Sequence, residues 1–169
     1  FGDNTTNNTI TIDNCEFNEG SSGVYFQGLN NNNLSGSNII QSSMFNGMGY
    51  YGIYLQFQNS PKIIGNQISN PSSNGIYLNY CYSELEVLSN QVSSRDYTLY
   101  INNSTGGQDI EFSRGLIANN MLSASSNYAV YFTGNSYLDF YHNSVLNSSG
   151  NTNTVGFYLY NGSSNNVVN

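Results

Sequence analysis

The chain has 169 residues, room for one domain with a real core and too few for two ordinary ones. Only 8% of its residues are Asp, Glu, Lys or Arg, against roughly 25% in an average globular protein, and the net charge is -7. Three basic residues cannot form a stripe that neutralises phosphates or holds to an anionic surface, so direct nucleic-acid binding and electrostatic membrane attachment are excluded. No apolar run approaches the roughly 20 residues of a membrane span, and Phe1 opens without the charged-then-apolar pattern of a retained signal peptide. The 31 Asn, 25 Ser and 17 Gly raise the question of disorder. Leu, Ile, Val and Phe together make up 41 of the 169 residues, above the level of about 20% below which disorder is the default, and they recur with a period.

In chain order, Ile12 and Phe17 bracket Cys15, and Gly23-Val24-Tyr25-Phe26 follows. Ile40/Ser43/Phe45 then leads to Gly52-Ile53-Tyr54-Leu55, and Ile63/Asn66/Ile68 to Gly75-Ile76-Tyr77-Leu78. Val87/Asn90/Val92 precedes Thr98-Leu99-Tyr100-Ile101, and Ile117/Asn120/Leu122 precedes Ala129-Val130-Tyr131-Phe132. The last copy is Phe140/Asn143/Val145 with Gly156-Phe157-Tyr158-Leu159. The tyrosine units start 29, 23, 23, 31 and 27 residues apart, and the two motifs keep one phase throughout. Each unit alternates in period two and is rich in β-branched and aromatic residues, which predicts short strands and no helix. Stretches such as Asn70-Pro71-Ser72-Ser73-Asn74 read as turns. Strands and loops recurring at this spacing describe a solenoid, whose rungs bury their apolar side chains only by stacking.

These motifs resemble the right-handed parallel β-helix repeat proteins of the pectin-lyase-like superfamily. The resemblance spans about Thr9 to Val168 and rests on the Gly-Ile-Tyr-Leu strand and the apolar-x-x-Asn-x-apolar turn, as in Ile63 to Ile68 and Val87 to Val92. It implies an all-β, right-handed parallel β-helix of six to seven rungs in a single domain, residues 1–169, roughly 30 Å long at about 4.8 Å per rung; the domain is expected to be part of a longer solenoid or of an end-to-end assembly. A left-handed β-helix would show hexapeptide periods instead.

Alternation along the tyrosine strand sends Val24/Phe26, Ile53/Leu55, Ile76/Leu78, Leu99/Ile101, Val130/Phe132 and Phe157/Leu159 inward. Tyr25, Tyr54, Tyr77, Tyr100, Tyr131 and Tyr158 then form an outward column, with Gln27, Gln56, Asn79, Asn102, Thr133 and Tyr160 at the next outward position. Aromatic faces beside amides suit sugar rings, a protein neighbour, or simply one another. Ser43, Asn66, Asn90, Asn120 and Asn143 fall at a turn where Asn tolerates the left-handed conformation, and they predict a hydrogen-bonded ladder that fixes register. Cys15 begins this column while Cys81 lies elsewhere and two rungs away, too far for a disulfide, so two unrelated thiols are expected.

The superfamily includes polysaccharide lyases and hydrolases, which use clustered carboxylates. Here Asp3, Asp13, Asp96, Asp109 and Asp139 are dispersed. Glu84 and Glu86 alternate along one strand, with Glu86 in the column of Lys62 and Asp139, a weak calcium or sugar site at most and more naturally an ion pair. Asp109 and Glu111 could share a face, Arg95 and Arg114 are expected to pair with Asp96 and Glu111, and His142 reads as a turn residue. No catalytic, metal or cofactor site is expected. Sequons begin at Asn4, Asn7, Asn33, Asn102, Asn103, Asn147 and Asn161, which would suit an exported protein. The expectation is a non-catalytic, extracellular structural or adhesive module of a cell surface or filament, self-associating end to end or laterally. A carbohydrate-binding or polysaccharide-degrading protein is the alternative.

Overall fold

A computed structural model of the chain describes residues 9–106, 114–161, 163 and 166–169. Among them no helix occurs and every strand pairing between named strands is parallel. Nineteen strands, numbered β1 to β19 in chain order, form three sheets. The first holds β1 (Thr11–Asp13), β4 (Ile39–Gln41), β7 (Lys62–Ile64), β10 (Glu86–Leu88), β13 (Gly115–Ala118), β16 (Leu138–Tyr141) and β19 (Val167–Val168). The second holds β2 (Glu16–Asn18), β5 (Met44–Asn46), β8 (Gln67–Ser69), β11 (Gln91–Ser94), β14 (Met121–Ala124) and β17 (Ser144–Asn147). The third holds β3 (Ser22–Gln27), β6 (Tyr51–Asn59), β9 (Asn74–Tyr82), β12 (Tyr97–Asn102), β15 (Val130–Thr133) and β18 (Phe157–Tyr160). Each sheet takes one strand from every turn of a solenoid of about six turns.

The six-residue motif of each rung is thus two strands and a corner: Ile63 lies on β7, Asn66 at the bend and Ile68 on β8. Three strands per rung, rather than a strand for each motif, close the bore on three sides. One inward file per sheet shows why. Ile40, Ile63, Val87 and Ile117 from the first sheet, Phe45, Ile68, Val92 and Leu122 from the second, and Ile53, Ile76, Leu99 and Val130 from the third are all buried in a single apolar cluster. The registers Ile40↔Ile63, Phe45↔Ile68 and Ile53↔Ile76 align these files, so like stacks on like at the spacing of adjacent strands.

The glycines that open the first three tyrosine units, Gly23, Gly52 and Gly75, sit where two sheets nearly touch. A Cβ on Gly75 would run into Val92 Cγ1 and come 2.6 Å from the Thr98 carbonyl oxygen, and Gly52 faces Ile68 and the Gly75 carbonyl in the same way. A side chain at Gly52 or Gly75 must push a neighbouring strand's backbone aside, whereas Thr98 and Ala129 occupy this position on the next two rungs.

The expected ladder runs along the corner between the first two sheets. Asn66 Oδ1 accepts from the Ser43 amide at 3.0 Å, and Asn90 Oδ1 accepts from the Asn66 amide at 2.9 Å and its Nδ2 at 3.0 Å. Asn120 and Asn143 repeat the arrangement. The second Nδ2 hydrogen of Asn66, Asn90, Asn120 and Asn143 goes to the carbonyl of Ile40, Ile63, Val87 and Ile117 respectively. The left-handed residue is not the ladder residue, as the turn chemistry of Asn suggested, but the one before it: Asn14, Ser42, Gly65, Ser89, Asn119 and His142 all have positive φ. The bend is made one position early so that the ladder side chain can turn inward, where its amide is held by neighbouring rungs rather than by its own turn.

Candidate functional site

The tyrosines of the third sheet are in register from one end to the other: Tyr25↔Tyr54, Tyr54↔Tyr77, Tyr77↔Tyr100, Tyr100↔Tyr131 and Tyr131↔Tyr158. Successive ring centroids are 4.4, 5.2, 4.6, 4.9 and 5.3 Å apart, an unbroken file of ring contacts. Alternation puts them on the outer face, as the strand pattern predicts, yet the face is not uniformly open. Tyr25 is 48% exposed and Tyr54 only 8%.

The reason is a second file that the repeat did not announce. Tyr51, Tyr97 and Tyr128 lie three residues before their partners in the first file. Tyr51 contacts Tyr54 and Tyr77, Tyr97 contacts Tyr100 and Tyr131, and Tyr128 contacts Tyr131 and Tyr158. Nine tyrosines thereby make a wall two rings wide on three rungs, with Asn74 standing in register between Tyr51 and Tyr97. Only the i–3 spacing to each column tyrosine, present in three of six copies, could have revealed it in the sequence.

Burial in the centre of this wall favours the neutral form of Tyr54, Tyr77 and Tyr100. Desolvation raises the Tyr54, Tyr77 and Tyr100 hydroxyls, Tyr100 to about 12, and neighbouring tyrosines add to the effect. At these three positions the wall is therefore an uncharged surface of π faces and hydroxyls across the physiological range.

On the other flank the amide column is also in register, Gln27↔Gln56, Gln56↔Asn79 and Asn79↔Asn102, continuing to Thr133 and Tyr160. It is tied to the wall and to itself. Tyr25 Oη donates to Gln27 Oε1 at 3.3 Å and Tyr54 Oη to Gln56 Oε1 at 3.0 Å, while Asn102 Nδ2 donates to Asn79 Oδ1 at 3.0 Å. These bonds tie the amides to the rings and to one another.

The acidic residues follow a different plan. Glu86 lies in register with Lys62 and forms a 3.2 Å ion pair with it. Asp139, two strands further along that column, accepts two bonds from Arg114, at 2.7 Å from Nε and 2.6 Å from Nη2. Arg114 thus reaches Asp139; its expected partner Glu111, with Asp109, Asp3, Asn4 and Asn7, lies outside the described residues. Glu84 is not on the strand with Glu86: β10 begins at Glu86, and Leu85 between them is fully buried. Arg95 is exposed and makes no ion pair with its expected partner Asp96. No group of three or more His, Cys, Asp or Glu that could hold a metal occurs among the described residues. His142 is the exposed left-handed turn residue of its rung.

Both cysteines are free, Cys15 exposed and Cys81 buried, with burial pushing the Cys81 thiol up to about 12. Of the sequons, Asn33 and Asn161 are exposed, whereas the side-chain amides of Asn102 and Asn147 are engaged in hydrogen bonds.

The family model described as right handed beta helix region matches residues 3–145 and, in a second overlapping match, 51–169. The chain belongs to this family. Its three stacked sheets are accordingly those of a right-handed β-helix, as the repeat implied. No curated protein and no solved structure matches the chain significantly. Of the residues singled out in the sequence, this β-helix brings the tyrosine column, the amide column and the asparagine ladder together as continuous files, and leaves the carboxylates apart.

Proposed function

We propose that this β-helix is a non-catalytic structural or adhesive module of a cell surface or filament, working outside the cell, and that its tyrosine wall is the contact surface. The observation that carries this reading is the wall itself. Six rungs present one uninterrupted aromatic file, widened by Tyr51, Tyr97 and Tyr128 and bordered by ordered amides. Such a surface offers apolar area and hydrogen-bond donors at little cost in side-chain entropy, which is what a protein or polymer neighbour needs. The two carboxylates that an acid–base or metal mechanism would draw on, Glu86 and Asp139, are each paired with a cation, on the first sheet and away from the wall.

The amide column favours one second reading, in which the wall stacks on sugar rings and Gln27, Gln56, Asn79 and Asn102 bond their hydroxyls. A single set of proteins separates the two. The chain and its Tyr77→Ala/Tyr100→Ala variant are compared by sedimentation over a concentration series and on a glycan array. Self-association lost in the variant supports protein contact, and glycan binding lost in the variant supports the sugar reading. Incubation with pectin and alginate, with and without calcium, is expected to release no unsaturated or reducing ends. Release of either overturns the non-catalytic reading.

A further inference from the structure

The tyrosine file is not evenly stacked. Tyr25 and Tyr54 lie face to face, with planes 7° apart, and Tyr77 with Tyr100 and Tyr131 with Tyr158 repeat this at 18° and 22°. Between these pairs the rings turn edge-on, at 80° for Tyr54 and Tyr77 and 76° for Tyr100 and Tyr131. The file is therefore three stacked pairs joined by two edge contacts. Identical side chains in parallel register place the carbons flanking one hydroxyl over the same carbons of the partner ring; an edge-on pair does not.

We propose that the wall is a site of oxidative cross-linking, at which hydrogen peroxide and a haem peroxidase join Tyr25 to Tyr54, Tyr77 to Tyr100 and Tyr131 to Tyr158 as dityrosine, stapling neighbouring rungs. Each link consumes one peroxide. One electron and one proton leave each phenol, the ring carbons beside the two hydroxyls form a carbon–carbon bond, and the hydrogen on each joined carbon moves to its own phenolic oxygen. The two electrons and two protons reduce the peroxide to two waters. Tyr25, 48% exposed, is where the first pair meets the oxidant. Tyr54 is shielded, but its ring stacks on that of Tyr25 with centroids 4.4 Å apart, so it passes an electron and a proton to the Tyr25 phenoxyl radical and Tyr25 is oxidised a second time. The half-buried Tyr77, Tyr100, Tyr131 and Tyr158 meet the oxidant directly. In the second file the stacked pair Tyr97 and Tyr128 is 6.0 Å apart, wider than any pair of the first. The inference does not depend on what the wall touches.

The test oxidises the dilute chain with peroxidase and hydrogen peroxide, follows dityrosine fluorescence, and maps linked peptides by mass spectrometry, with the urea-unfolded chain alongside. The expected result is links within one chain at the three stacked pairs, each lowering the mass by two hydrogens, and loss of this preference in urea. Tyr25→Phe, which keeps the stacked ring, should lose the Tyr25–Tyr54 link and retain the other two. Links between Tyr54 and Tyr77 or Tyr100 and Tyr131 as abundant as the stacked ones, links only between chains, or no dityrosine would each overturn the proposal.

Discussion

Two hydrogen-bonded ladders run along different corners of the β-helix and solve one problem with different residues. The first, between the first and second sheets, is Ser43, Asn66, Asn90, Asn120 and Asn143. The second follows the tyrosine strand and is Gln58, Cys81, Ser104, Asn135 and Ser163. Ser104 Oγ accepts from the Cys81 amide at 2.9 Å, Asn135 Oδ1 from the Ser104 amide at 2.8 Å, and Ser163 Oγ from the Asn135 amide at 3.3 Å. Cys81 Sγ interacts in the same way with the Gln58 backbone. In both ladders the residue before the rung-bridging side chain is left-handed, here Phe57, Tyr80, Asn103 and Gly134.

The difference lies in how the corner amide is satisfied. An Asn reaches the carbonyl of the preceding rung, as Asn135 does to Ile101 and Asn90 to Ile63. A Ser is too short and bonds back to its own strand, as Ser104 does to Asn102 and Ser43 to Gln41, while the Cys81 Sγ contacts both the Leu55 carbonyl of the preceding rung and its own Asn79 carbonyl. The geometric demand is an acceptor for a buried backbone N–H. Several residue types meet it, so a ladder need not look like one.

Removing an Asn from the uniform ladder should have the largest effect. Asn90→Ala strips the Asn66 amide and Nδ2 and the Ile63 carbonyl of their partner at a buried corner, and each such orphan costs about 1 to 3 kcal/mol. A loss of about 3 kcal/mol or more is expected in urea denaturation. Asn135→Ala in the mixed ladder leaves the Ser104 amide and the Ile101 carbonyl unpaired, and about 2 kcal/mol is expected. If the two losses come out reversed, the uniform ladder is not the stronger one.

Alkali distinguishes the ladders next. The amides of the first do not titrate, while the second contains the Cys81 thiol and runs beside the tyrosine wall. Burial raises Cys81 from 9.0 to about 12 and Tyr100 from 10.0 to about 12. The unfolded chain therefore loses these protons first, so stability is intact below pH 9 and falls between pH 9 and 12. Thermal melts over this range should show the decline, and Cys81→Ser should delay its onset to about pH 10, where the phenols begin.

At neutral pH the same Cys81→Ser variant is expected to change stability by less than about 1 kcal/mol, because Ser fills this role one rung away at Ser104. A disulfide-exchange reagent should meanwhile label Cys15 in the native chain and reach Cys81 only on unfolding. Rapid labelling of both would mean that the corner at Cys81 opens readily.

Much of this was legible in the sequence. The inward files, the tyrosine column and the first ladder repeat the same residue type at the same phase, so a search for self-similarity finds them. The second ladder and the file of Tyr51, Tyr97 and Tyr128 escaped it, one because Gln, Cys, Ser and Asn share no letter, the other because it appears in only half the rungs. The pairing of Arg114 with Asp139 was equally hidden. The two are 25 residues apart in sequence and become neighbours only when the rungs stack.

What the sequence determined alone is the architecture, because burial at period two and turns at a fixed phase leave a stacked solenoid as the way to cover every apolar side chain. What the tertiary structure decided is anything that depends on ring orientation and on contacts between rungs: which tyrosines face one another, which stand edge-on, which carboxylate holds which cation, and where the left-handed residue sits. Periodicity records that a side chain points inward or outward. It carries no information on the angle at which two side chains meet, and that angle is fixed only when neighbouring rungs pack.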